Sequence, residues 1–179
     1  SKKASGIALN RVSTKKFLYK IHAQTSKFGV FDKAQTAIDY VKTANFPLII
    51  STAENNHQIL CTTVNLANRF ISETFSFRGE PEVLVEEFVY GHSFTIYFVT
   101  DGYSAVELAV VGNYKNYENG ATDFSNGNSG CYTPDFRISR TVISRVHNII
   151  QNTLKAFENK DNLYVGILGI ECTLIGEDK

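Results

Sequence analysis

The chain has 179 residues, 43% of them hydrophobic and 12% aromatic, a length that suits one ordinary domain or two small packed subdomains with ample core. Its 18 basic residues balance 18 acidic ones, which gives no support to a nucleic-acid or anionic-membrane surface. No apolar run approaches the ~20 residues that span a bilayer and no signal-like apolar core follows Ser1-Lys2-Lys3, so the chain reads as cytoplasmic, with no nucleic-acid and no membrane partner.

After a polar start, Ser13-Thr14 offer an N-cap to a helix carrying Phe17, Leu18 and Ile21 on one face. Lys27 to Phe31 reads as a short strand. Asp32 then caps a helix that buries Ala34, Ala37, Ile38 and Val41 and stops before Pro47. The continuous apolar run Leu48-Ile49-Ile50 predicts a buried strand, with Ile59-Leu60-Cys61 as its hairpin partner across Ala53 to His57. A helix follows from about Asn65, with Leu66, Phe70, Ile71 and Phe75 at helical spacing.

From Glu82 to Gly112, three β-branched and aromatic runs are broken by Tyr90-Gly91 and Asp101-Gly102. They read as an antiparallel meander, the centre of a sheet. Inside its first run, Glu86 and Glu87 put one carboxylate on each face of the strand. One reading has one carboxylate solvated and the other paired with a Lys; the alternative is the edge of a nucleotide pocket.

The stretch from Gly112 to Pro134 is dense in Gly and Asn and reads as a functional or mobile loop. Ser139 to Phe157 predicts a long helix with Val142, Ile143, Val146, Ile149, Ile150, Leu154 and Phe157 on one side. Leu163 to Ile175 predicts a last strand, followed by a turn-like Gly176-Glu177-Asp178-Lys179 with no return strand. The weakest junction, Phe77 to Pro81, divides the chain into subdomains 1–78 and 79–179.

Cys61, Cys131 and Cys172 are odd in number and free of any C-x-x-C pattern, and they read as reduced packing residues. The four histidines show no metal-ligand spacing. The absence of Met is expected of a domain cut from a longer protein.

Three stretches carry a resemblance to a known family. Val85-Glu86-Glu87-Phe88-Val89-Tyr90-Gly91 is similar to an E-E-F-x-x-G motif. Asn126-Gly127-Asn128-Ser129-Gly130-Cys131-Tyr132-Thr133-Pro134 is similar to N-T-G-G-M-G-A-Y-S-P, and Tyr164-Val165-Gly166-Ile167-Leu168 to Y-x-G-x-L. With the element order, these resemble the ATP-grasp ligases, and among them the phosphoribosylamine-glycine ligases of purine synthesis. The resemblance implies an α+β fold in which two small α/β subdomains with antiparallel sheets clasp ATP. It also implies magnesium as a cofactor, an acyl phosphate attacked by an amine, and catalysis largely by positioning and charge neutralisation. Nucleotide, a small amine or acid substrate and the rest of a parent ligase would be the partners.

Carried over residue by residue, the resemblance places Arg11, Ser51, Glu86, Glu87, Phe88, Val89, Ser93 and Lys115 at nucleotide-binding positions. Asn126, Gly127, Gly130 and Tyr132 fall on the substrate loop, and Glu171 falls at a magnesium position. Several departures stand out. Ser51 replaces the phosphate-binding Lys, and a hydroxyl cannot supply its charge. The Gly-rich phosphate loop shrinks to Glu54-Asn55-Asn56-His57, which lacks the glycines that let backbone approach phosphate. His92 and Ser93 replace two glutamates, and a strand-turn role for His92 is the simpler reading. Arg11 and Lys115 are open to a surface role, and Glu171 alone makes a poor magnesium site.

The expected function is the ATP-grasp portion of a phosphoribosylamine-glycine ligase-like protein, with weak or no ATP binding and no ligase turnover by this chain alone. The alternatives are a degenerate, non-catalytic ATP-grasp binding or scaffold domain, and an interaction module whose Tyr114, Tyr117, Phe124 and Tyr132 anchor a protein partner.

Overall fold

The computed structural model describes residues 2–53, 58–77, 82–114, 130–158 and 163–176. They form two compact units, one built mainly on residues 6–88 and the other mainly on residues 89–114 and 130–176.

The first unit begins with α2 (Arg11–Lys20), which follows the short helix α1 (Lys2–Leu9). Asn10 starts α2: its backbone is extended and its Oδ1 accepts a hydrogen bond from the Ser13 amide at 2.9 Å. The helix therefore opens earlier than a Ser13 or Thr14 cap would allow. Both residues lie inside it, and the Thr14 hydroxyl turns back to the Ile7 and Asn10 carbonyls.

Next come β1 (Phe28–Phe31), α3 (Ala34–Thr43), β2 (Leu48–Thr52), β3 (Gln58–Cys61), α4 (Val64–Phe77) and β4 (Val83–Glu87). The sheet order is β1-β4-β2-β3, with every neighbour antiparallel. Lys33, not Asp32, occupies the N-cap position of α3, and it makes no side-chain cap bond.

The expected meander forms only in its second and third runs, which pair antiparallel at residues 92–100 and 105–114. Its first run is β4, and β4 lies between β1 and β2 of this first sheet. Val83, Leu84, Val85 and Glu86 are all buried, so both faces of the strand are covered, as a central position requires.

Register divides the sheet into two faces. Leu48, Ile50, Ile59, Cys61, Val83 and Val85 face α3 and α4 and pack with Ala37, Val41, Ala67 and Ile71. Ile49, Ser51, Leu84, Glu86 and Phe28 lie on the opposite face. Glu86 receives Arg11 and Lys15 there, so α2 lies on that side.

In the second unit, β5 (His92–Thr100), β6 (Ala105–Tyr114), β7 (Gly130–Tyr132) and β8 (Gly166–Leu174) form an antiparallel sheet in the order β7-β6-β5-β8. The helix α5 (Arg140–Phe157) is capped by Ser139, whose hydroxyl accepts from the Val142 amide. It lays Val142, Val146, Ile150 and Leu154 over Phe94, Ile96 and Phe98. The last strand starts at Gly166, where φ is 139°, later than the expected Leu163. Strand β7 and the last residues of β6 fall inside the span read as loop, and residues 115–129 of that span lie outside the described residues.

Cys61 is buried and Cys172 partly so, and burial pushes both thiols up to about 12, in keeping with packing roles. Cys131 is exposed on β7, so the packing reading does not extend to it. No described helix is long and apolar enough to cross a membrane.

Candidate functional site

In the first unit the candidate residues gather on the α2 face of the sheet. Arg11 and Lys15 stand four residues apart on α2, hence on one helical face, and both point at Glu86. Arg11 Nε lies 2.5 Å from Glu86 Oε2, and its Nη2 donates to Oε1 at 3.3 Å. Lys15 Nζ lies 2.7 Å from Glu86 Oε1. It also donates to Thr25 Oγ1 at 2.6 Å and Ser26 Oγ at 2.8 Å, which commits all three ammonium protons. Asn10, besides capping α2, donates from Nδ2 to the Ala53 carbonyl at the end of β2, tying the start of the helix to the sheet.

Glu86 is 1% exposed and Lys15 8%. Burial pushes the Glu86 carboxyl up, but the neighbouring Arg11 and Lys15 charges and hydrogen bonds outweigh it, so the net shift is down. Burial is also the leading influence on Lys15 and holds its ammonium below the usual lysine value, against the pull of Glu86. A buried carboxylate with two cations and the Ser26 hydroxyl is a satisfied network. Glu87, on the helix-facing side of β4, is half-exposed and lies 3.8 Å from Lys27.

Ser51 pairs with Leu84 in register and so shares the Glu86 face, where it is fully buried. Its Oγ has no hydrogen-bond partner among the described residues. An orphaned buried hydroxyl costs roughly 1–3 kcal/mol. Beyond β4, the Glu87 and Phe88 amides donate to the Lys27 and Pro47 carbonyls, while Val89 belongs to neither sheet.

In the second unit, Ser93 and Glu171 share the face of the sheet away from α5. Ser93 pairs with Thr173, and Thr95 with Glu171. Asn113 bridges Ser93 Oγ at 3.4 Å and Thr95 Oγ1 at 2.9 Å, a buried polar trio with the exposed Glu171 beside it. Among the described residues no group of three or more His, Cys, Asp or Glu is placed to hold a metal.

On the α5 side of this unit, His92 Nε2 bonds Asp135 Oδ2, and Asp135 Oδ1 accepts from the Arg137 amide at 3.1 Å. Tyr132 reaches His92 at 3.5 Å, stacks under Arg137 and lies against Tyr114. His92 thus does more than turn the chain into β5: it ties that turn to the segment after β7. Gly130 opens β7 opposite Tyr114. Lys115, Asn126, Gly127 and the shortened loop at 54–57 lie outside the described residues.

The structure therefore brings Arg11, Ser51 and Glu86 to one face, and Ser93 and Glu171 to another. Sequence reasoning missed Lys15, Asn10, Asn113 and Asp135. Of these, only Lys15 was legible, by its four-residue spacing from Arg11.

Two four-stranded antiparallel sheets flanked by helices, with an E-E-F strand at the centre of the first, define an α+β protein of the ATP-grasp class. The family described as phosphoribosylglycinamide synthetase, ATP-grasp (A) domain, matches residues 10–179, and the chain belongs to that family. The trifunctional purine biosynthetic protein adenosine-3 of Gallus gallus is 24% identical over 178 residues, covering 93% of this chain and 17% of the relative. Phosphoribosylamine-glycine ligase from Thermotoga maritima superposes with a TM-score of 0.79 at 21% identity, over 97% of this chain and 46% of that one. N5-carboxyaminoimidazole synthase from Aspergillus clavatus, solved with ADP and 5-aminoimidazole ribonucleotide, superposes with a TM-score of 0.73 at 12% identity, over 100% and 44%. The chain thus spans less than half the length of each of these proteins.

Proposed function

We propose that this chain is the ATP-grasp portion of a phosphoribosylamine-glycine ligase-like protein of purine biosynthesis, acting in the cytoplasm with the rest of the parent ligase. In that parent, the reaction would be ATP-dependent C-N ligation through an acyl phosphate. The observation that carries the reading is the family match across residues 10–179, together with an E-E-F strand that sits centrally in its sheet and releases its main chain at Val89.

The residues fit the two ends of the cofactor unequally. Main chain around Phe88 and Val89 suits the adenine, whereas Glu171, taken alone, makes a poor magnesium site, because magnesium takes one or two carboxylates with phosphate oxygens. The phosphate end fits poorly, because Ser51 is buried and uncharged and Arg11 is engaged by Glu86. We therefore assign the isolated chain no ligase turnover. A degenerate, non-catalytic binding domain is the second reading, and Ser51 favours it.

The test is ADP release by the purified chain given ATP, magnesium, glycine and phosphoribosylamine. No glycine-dependent release is expected. Measurable release would show that the chain has a complete catalytic site.

A further inference from the structure

The two sheets end very differently at their edges. The edge strands of the first sheet, β1 and β3, run four residues each, and β7 closes one side of the second with three. Strand β8 forms the other side over nine residues, and among the described residues no strand pairs with its outer side. A row of outward N–H and C=O groups is a template for another strand, and natural edges blunt it by shortness, lysine, proline or a bulge. Strand β8 has none of these. Its pairing with β5 is continuous from His92↔Leu174 to Thr100↔Gly166, and Glu171 is its single charge.

We infer that β8 is a self-association edge, through which two copies of this chain pair antiparallel about a two-fold axis normal to the sheet.

Side chains, register and charge all fit a second copy. On the α5 side of β8, Leu168, Ile170 and Cys172 pack on the second core but are only partly buried. A second β8 lays the same row beside them, so each copy covers the unfinished rim of the other's core. The full-length register places Ile170 opposite its own copy and Leu168 opposite Cys172. On the other face, where Ile167 is 59% exposed, Glu171 of one copy meets Gly169 of the other. Like charges never stand opposite each other in this register. The chain's 18 basic and 18 acidic residues cancel, so no net charge holds two copies apart. Pairing uses up both β8 edges and leaves a sheet that ends in the short β7 on each side, so association closes at two.

The experiment is analytical ultracentrifugation of the purified 179-residue chain over roughly a hundredfold range of concentration, because dilution drives a dimer apart by mass action. The mass is expected to rise to twice the 20.0 kDa of one chain and no further. Over the same range, β8 amides should gain protection from hydrogen exchange while those of β1 to β4 stay unchanged. Disulfide cross-linking reads the register, in a Cys131→Ser background because Cys131 is exposed. Ile170→Cys faces its own copy across the axis at the roughly 4.5–5.5 Å Cα spacing of an antiparallel pair, which a disulfide spans, and is expected to link. Thr173→Cys stands opposite Ile167 and is expected not to. A chain that stays at 20.0 kDa throughout, or grows past two copies, overturns the inference. So does a dimer that leaves β8 exchange unchanged, or one that links through Thr173→Cys as readily as through Ile170→Cys. Circular dichroism checks the fold of each variant; if Ile170→Cys does not fold, the wild-type mass and β8 exchange decide.

Discussion

Glu86 and Glu87 are chemically alike and adjacent, and the strand separates them. Glu86 faces α2, buried and held by two cations, whereas Glu87 faces the other way, half-exposed, with Lys27 at 3.8 Å. Removing one partner of a buried ion pair strands the other charge, so Glu86→Gln is expected to destabilise the protein by about 3–5 kcal/mol in urea unfolding. Glu87→Gln should stay within about 0.5 kcal/mol. The same network sets a pH dependence. The Glu86 carboxyl is shifted below its ordinary value in the fold, so its contribution is complete above the unfolded carboxylate pKa of about 4.3 and is lost as pH falls through the lower folded value. Unfolding curves taken from about pH 5 downward should therefore show a steeper loss for wild type than for Glu86→Gln. The strand period made it legible that the two carboxylates part. Which one is buried was not, because that depends on a helix seventy residues away in sequence.

At the scale of elements, what sequence could and could not reveal follows from how local each signal is. Hydrophobic spacing located α3, α4 and α5, and β-branched runs located β2, β5 and β6. Pairing was another matter. The Val83 to Glu87 run neighbours β5 in sequence, and the turn residues between them invited a hairpin. Its four consecutive buried positions instead belong to a strand covered on both faces, and β1 and β2 supply its partners. Asn10 shows the same limit. Asn is a strong N-cap, but its second bond, to the Ala53 carbonyl, is a tertiary fact. Asn10→Ala should cost about 1–2 kcal/mol by thermal or urea unfolding, while Ser13→Ala should cost less, because Ser13 is not the cap. In the second unit, a Cβ on Gly112 would run into the Tyr132 ring and Asp135 Oδ2. Gly112→Ala should therefore push β7 off β6, at a cost of about 1–3 kcal/mol.

For the whole molecule, the informative fact is that the chain builds two separate cores. One packs Leu48, Ile50, Val83 and Val85 under α3 and α4, and the other packs Phe94, Ile96 and Phe98 under α5. Each sheet has its own helices and its own apolar centre, so each unit meets the main requirement for opening as a cooperative unit by itself. Composition hinted at this only as a choice between one domain and two; the decision lay in which strands pair, and that is non-local. The consequence is measurable. Phe98→Ala empties the centre of the second core and should cost about 3–5 kcal/mol. In hydrogen exchange followed by mass spectrometry, protection should fall in peptides from β5, β6, β8 and α5, while those from β1 to β4 keep their wild-type rates. Equal loss in both sets would mean that the two sheets open together, and the two cores would then have to be treated as one folding unit.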